Sequence, residues 1–218
     1  MKNILIISGG NLSEYFVKQY IKDYGYDYII AVDKGTEYFY NNNLVPDLII
    51  GDFDSANRVC VEFYKEKYGN KVKQFDAEKD YTDTTIAVFE ALQIVDEDGQ
   101  IVILGGTGSR LDHVIGNIQI LKAAYDKNIK CYIIDPHNRI HLAKSGETIK
   151  KSQSYGKYIS FFPLGDKVTG LCLKGFKYNL ENYILEYGKS LGVSNELESE
   201  NACISFQDGI LLMIESKD

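Results

Sequence analysis

The chain has 218 residues, of which 44% are hydrophobic and 25% charged, with a formal net charge of -7. That composition excludes wholesale disorder, and the length suits one domain or two modest ones. An acidic balance with no basic run to follow a phosphate backbone argues against nucleic acid as a partner.

In chain order, Ile4 to Ile7 reads as a buried strand running into Gly9 and Gly10, and a helix follows from Ser13 to Ile21. Tyr28 to Val32 is a second strand, with a short helix around Glu37 to Tyr40. Leu48 to Ile50 is a third, followed by a helix from Val59 to Tyr68, and Val72 to Phe75 is a weaker fourth. Thr82 to Val95 is helical, with Thr82 or a neighbour as its cap. Ile101 to Leu104, a helix from Leu111 to Ala124, and Cys131 to Ile134 complete the alternation. Apolar strands separated by helices of this length predict an α/β fold, a mostly parallel sheet with helices on both faces.

After Pro136 the pattern changes to short, often alternating, turn-separated strands: 140–142, 147–149, 158–162, 171–173 and 203–206. Asp208-Gly209, after Phe206 and before Ile210, predicts a hairpin, because Asp-Gly suits a type I′ turn. Two domains are expected, 1–143 and an antiparallel β domain over 144–218.

Cys60, Cys131, Cys172 and Cys203 lie far apart with no CxxC pair, which reads as buried free thiols in a reducing compartment. The first apolar run is too short for a signal peptide, and no stretch of about 18 apolar residues exists. A cytoplasmic protein with no membrane partner is expected. His137 and His141 read as structural.

Five clusters carry the chemistry: AVDKG at 31–35, PDLIIGDFDS at 46–55, KDYTD at 79–83, LGGTG at 104–108 and SRLDH at 109–113. Each adjoins a strand, and the crevice of a parallel sheet lies beyond the carboxyl ends of its strands. Carboxylates there, beside glycines that leave N–H groups open, suit magnesium and phosphate. A turn at Asp52-Phe53-Asp54 converges two carboxylates on a cation, or else Asp52 caps the next helix. Lys79 suits the neutralisation of a phosphate, while a helix start capped by Thr82 or Asp83, with no catalysis, is the stronger reading of this cluster taken alone. The Gly105-Gly106-Thr107 turn precedes a helix and matches neither GxxxxGK[ST] nor GxGxxG. Arg110 suits a phosphate clamp, Asp112 a metal ligand, base or cap, and His113 a hydrogen bond. Asp33 suits a ribose, a magnesium-bound water or a cap. Ser8-Gly9-Gly10 is no nucleophile elbow.

The series AVDKG, PDLIIGDFDS, KDYTD and GGTGSRLDHVIGN resembles bacterial thiamine pyrophosphokinases, and Leu191 to Glu196 resembles that family's late serine–asparagine segment. The resemblance implies an α/β catalytic, ATP-binding domain over 1–143, a β-sandwich thiamine-binding domain over 144–218, and a homodimer. It implies that Asp52, Asp54, Asp80 and Asp83 hold Mg2+, with Asp33 nearby. It places Lys79, Arg110, Ser55 and the Gly105-Gly106-Thr107 turn against ATP. Asp112, His113 and Asn117 match the family's helix start, while Ser194 and Asn195 receive thiamine. Lys34 and Thr85 depart from the family pattern, which usually has glycine and an acidic or amide residue there. The implied reaction converts ATP and thiamine to AMP and thiamine diphosphate, with Asp80 or Asp112 as candidates to accept the hydroxyl proton.

Overall fold

The computed structural model describes every residue except Met1, Ser55, Ala77 and Lys79. The expectations for Lys79 and Ser55 therefore lie outside the described residues. The chain divides into two compact units, Met1–Pro136 and His137–Asp218.

The first unit alternates β1 (Asn3–Ile7), α1 (Glu14–Tyr24), β2 (Tyr28–Val32), α2 (Thr36–Asn41), β3 (Leu48–Gly51), α3 (Arg58–Tyr68), β4 (Val72–Gln74), α4 (Asp83–Ile94), β5 (Gln100–Leu104), α5 (Leu111–Asp126) and β6 (Lys130–Ile134). Its strands lie in the order β6-β5-β1-β2-β3-β4, every neighbouring pair parallel. Successive strand residues point to opposite faces, yet Ile4, Leu5, Ile6 and Ile7 are all fully buried, so both faces of β1 are covered. α4 packs on β1, β2 and β3 and against α5, while α3 packs on β4 and against α2.

Helix starts follow local chemistry. Ser13 accepts the Phe16 N–H at the head of α1, Asn57 the Val59 N–H at α3, and Thr82 the Thr85 N–H at α4. From β1 the chain builds outward to β4, then returns to add β5 on the other side of β1. The reversal leaves a crevice beyond the carboxyl ends of β1 and β5, where the following loops diverge.

The second unit contains β7 (Asn138–Ala143), β8 (Glu147–Lys150), β9 (Tyr158–Pro163), β10 (Lys167–Lys174), β11 (Leu180–Glu186), β12 (Asn195–Glu196), β13 (Asn201–Ser205) and β14 (Leu211–Ser216). All of its strand pairs are antiparallel, in two groups ordered β12-β9-β14-β7 and β11-β10-β13-β8. Both groups feed one core: Ile159, Phe161 and Met213 from the first, with Val168, Leu171, Leu185 and Ile204 from the second. Each such side chain contributes about 1.5–3 kcal/mol by leaving water. The units divide earlier than residue 143 because β7 pairs with β14 along its whole length.

Two local expectations are corrected. Asp208-Gly209 does not close a hairpin, since β13 pairs with β8 and β10 whereas β14 pairs with β7 and β9. The segment instead carries the chain from one sheet to the other. Asp208 bridges Thr169, and Gly209, at φ 103°, passes so close to Lys167 and Val168 that a side chain would collide. All four cysteines are free, but only Cys60 and Cys131 are buried. Cys203 is exposed because its neighbours Ala202 and Ile204 take the inward positions of β13. Among the described residues, no helix is long and apolar enough to cross a membrane.

Candidate functional site

An open cleft of about 700 Å³ lies in the first unit, lined by the segments that follow β1, β2, β3 and β5 and by the start of α4. One side of it is acidic. Asp33 follows β2, Asp52 follows β3, and Asp83 opens α4; each offers a carboxylate oxygen, and these oxygens all lie within 4.8 Å of one another. Two bonds to a hard cation, at about 2.1–2.5 Å each, span such a gap. The three carboxylates can coordinate a metal ion.

The backbone is bent to bring them together. Asp33 and Phe53 both adopt left-handed conformations, at φ 46° and 63°, and the Phe53 N–H donates to Asp33 Oδ1 at 3.4 Å. Such conformations carry a cost in non-glycine residues and persist where surrounding structure enforces them. Gly51 leaves room for this arrangement, because a Cβ there would push Asp33 Oδ1 from its present position. The Asp54 N–H donates to Asp52 Oδ1 at 3.1 Å, which orients that carboxylate.

Electrostatics record the crowding. The Asp33 carboxyl is pushed up to about 7, first by burial, then by the charges of Asp83 and Asp52, and also by a hydrogen bond with Asp83; the Phe53 N–H opposes the rise. Like charges gathered in a partly dry cleft repel, and a divalent cation is the natural relief. The donor set therefore fits a hard divalent cation, with room left in the open cleft for water.

The other side is a clasp of two glycine loops. Ser8 donates its N–H to Leu104 O at 2.9 Å, Gly10 to Gly105 O at 2.9 Å, and Asn11 to Thr107 O at 2.8 Å. Gly10 sits so tightly that a Cβ would overlap the carbonyls of Gly105 and Thr107. The buried Asn117 amide donates to Gly106 O at 2.7 Å, and Thr107 Oγ1 donates to Asp135 at 2.8 Å. Asn117 thus holds the turn in shape from inside the helix.

The candidates named from sequence distribute as follows. Asp33, Asp52, Asp54, Asp80, Asp83, Gly105, Gly106, Thr107, Arg110, His113 and Asn117 all line the cleft. Asp33, expected near the metal or at a ribose of the nucleotide, stands inside the carboxylate cluster, whereas Asp54 and Asp80 line the cleft outside that trio. Asp112 is exposed and forms a two-point ion pair with Arg110, at 2.6 and 3.3 Å, which pulls its carboxyl down to about 2. So held, it is a weak base. Ser194 and Asn195 lie in the second unit. The Ser194 N–H donates to Ser160 Oγ, and the Asn195 amide bonds the backbone of Tyr178 and Glu196.

Ser8, Gly9, Gly10, Asn11 and Thr84 also line the cleft, although the sequence reads Ser8-Gly9-Gly10 only as no nucleophile elbow and gives Asn11 and Thr84 no site role. The available signal was Gly9-Gly10 directly after a buried strand, the same grammar that marked Gly105-Gly106.

Fold and site together define a class: two-domain α/β proteins with an acidic, glycine-clasped crevice at the switch point of a parallel sheet. Family models narrow it. Residues 17–133 match the model described as "Thiamin pyrophosphokinase, catalytic domain", and residues 146–211 the one described as "Thiamin pyrophosphokinase, vitamin B1 binding domain". The thiamine pyrophosphokinase of Bacillus subtilis is 38% identical over 223 residues, covering 100% of each chain. A crystal structure of that enzyme superposes with a TM-score of 0.85 at 35% identity, covering 100% of each chain. The thiamin pyrophosphokinase structure from Geobacillus thermodenitrificans gives 0.83 at 31% identity, covering 99% of this chain and 98% of the other. The chain belongs to the thiamine pyrophosphokinase family.

Proposed function

We propose that the chain transfers the terminal diphosphoryl group of ATP to the hydroxyl of thiamine, releasing AMP and thiamine diphosphate. The observation that carries this reading is the meeting of a three-carboxylate cluster with a glycine clasp in one cleft, in a chain that matches the family through both of its domains. The hydroxyl oxygen bonds to the β-phosphorus as the bond from β-phosphorus to the α-bridging oxygen breaks, and AMP carries that oxygen away.

Asp33, Asp52 and Asp83 would hold Mg2+, with Asp54 and Asp80 reaching it directly or through water. The ion supplies charge neutralisation at the phosphate oxygens. The Gly105-Gly106-Thr107 turn lines the same cleft as Arg110, and both are assigned to orienting the polyphosphate, with Lys79 and Ser55 assigned to the same task. Asp80, exposed in the cleft and outside the trio, is the better placed of the two candidate bases, since Asp112 is committed to Arg110. His113 and Asn117 shape the nucleotide side. Positioning and charge account for most of the rate in such transfers.

The first unit is assigned to ATP. The second, a β-sandwich about the Phe161 and Phe176 core, is assigned to thiamine through Ser194 and Asn195. Exposed Tyr178, Tyr187, Leu191 and Val193 supply apolar surface for a second copy, in keeping with a homodimer. Four free cysteines suit the cytoplasm. A net charge of -7 with no basic run suits a protein without a nucleic-acid partner, and no membrane partner is proposed.

The test is to incubate purified protein with ATP, Mg2+ and thiamine and to separate the products. Equimolar AMP and thiamine diphosphate are expected, reduced at least 100-fold in Asp83→Asn. ADP in place of AMP, or no dependence on thiamine, refutes the assignment.

A further inference from the structure

Two hydroxyl groups meet inside the cleft. Ser8 Oγ and Thr84 Oγ1 lie 2.6 Å apart, both residues buried and 76 positions apart in sequence. Ser8 is built into the clasp: its N–H is donated to Leu104 O, and its carbonyl lies where a side chain on Gly105 would strike it. Thr84 is the second residue of α4 and the immediate neighbour of Asp83. Helix capping does not account for Thr84, because Thr82 accepts the Thr85 N–H and the Thr82 and Thr85 hydroxyls bond each other at 3.0 Å. One side-chain hydrogen bond therefore joins the glycine clasp to the helix start that carries an acid of the cluster.

We propose that the Ser8–Thr84 hydrogen bond is a positioning latch that sets Asp83 against Asp33 and Asp52 and holds the cation site in register with the glycine clasp. The inference rests on the cation reading given above. A bare pair of buried hydroxyls would satisfy only itself. This pair spans the two halves of the cleft at the point where β1 meets α4, and α4 packs on β1, β2 and β3. Metal sites need their ligands held within about 0.5 Å, and groups that orient such ligands change metal affinity by about 10- to 100-fold.

The test titrates metal-free protein with Mn2+, reading the free ion by electron paramagnetic resonance, with thermal melts run alongside. Ser8→Ala and Thr84→Val are each expected to weaken Mn2+ binding about 10-fold. The double variant should be no worse than either single one, and Thr84→Ser should bind as the wild type does. In turnover, the Mg2+ concentration needed for half-maximal rate should rise by the same factor while KM for thiamine stays put. Variants that melt earlier yet keep wild-type Mn2+ affinity overturn the latch and leave a merely structural bond. So does Thr84→Ser binding as weakly as Thr84→Val. Asp83→Asn is measured in parallel: if it binds Mn2+ as the wild type does, the cation-site reading itself fails, and the latch with it.

Discussion

Replacing Asp33 with asparagine removes one negative charge from the cluster while keeping an oxygen to accept the Phe53 N–H. Asparagine also tolerates the left-handed backbone at φ 46°, so the substitution adds little strain. The Asp33 carboxyl stands at about 7 against an ordinary 3.8, chiefly through burial and then the charges of Asp83 and Asp52. At about 1.4 kcal/mol per pH unit, that displacement bounds the cost of ionising it at about 4 kcal/mol. Part of the carboxylate faces the open cleft, where water screens it, so about 2 kcal/mol is expected. The folded protein holds this proton more tightly than the unfolded chain. The resulting stability is fully present below 3.8 and is lost as pH rises through about 7. Metal-free Asp33→Asn should therefore match the wild type near pH 4, the ordinary carboxylate value. At about pH 8 it should exceed the wild type by about 2 kcal/mol, or about 4–8 °C in Tm. Urea unfolding in the presence of a chelator measures the difference at each pH. Added Mg2+ should narrow the gap, because only the wild type offers the third carboxylate. A variant that gains nothing at the higher pH, or gains equally at both, refutes the electrostatic account.

Two further outcomes concern the rest of the molecule. Glu215 is fully buried and takes two hydrogen bonds from Arg139, at 2.6 and 2.7 Å, and one from the Tyr155 N–H. Arg139→Met leaves that carboxylate without its cation and should cost about 3–5 kcal/mol in urea unfolding, whereas pairing it with Glu215→Met should restore most of the loss. With a thiol reagent, exposed Cys203 should react first in the folded protein. Cys131, pushed up to about 12 by burial, and Cys60, pushed up to about 11 by burial and Glu37, should react only on unfolding. Rapid labelling of either buried thiol in the native state contradicts the packing.

The parallel strands were legible because a strand covered on both faces must be apolar at every position, as Ile4 to Ile7 are. Thr82 was legible as a cap because its hydroxyl works on N–H groups within one turn. The Asp208-Gly209 turn departs from the hairpin that its sequence predicts. The dipeptide declares only that the chain can bend there, and the pairing of Thr169 with Asp208, together with the demands of a shared core, sends β14 to the opposite sheet. Cys203 looked buried for a similar reason, since an alternating strand has two faces and composition alone does not say which one packs.

The site divides along the same line. Sequence alone placed acids and paired glycines at the ends of strands, because a parallel sheet delivers whatever follows each strand to one edge. Which acids share a cation was a tertiary matter. Left-handed turns at Asp33 and Phe53 and the bare Cα of Gly51 draw Asp33 into the trio with Asp52 and Asp83, while Asp54 and Asp80 stay outside it. Ser8 and Thr84 meet only because α4 crosses β1. Residue types and local turns follow from short-range sterics and hydrogen bonding, which neighbours in sequence carry. Distances between carboxylates brought from three separate strand–loop–helix units follow from how those units pack.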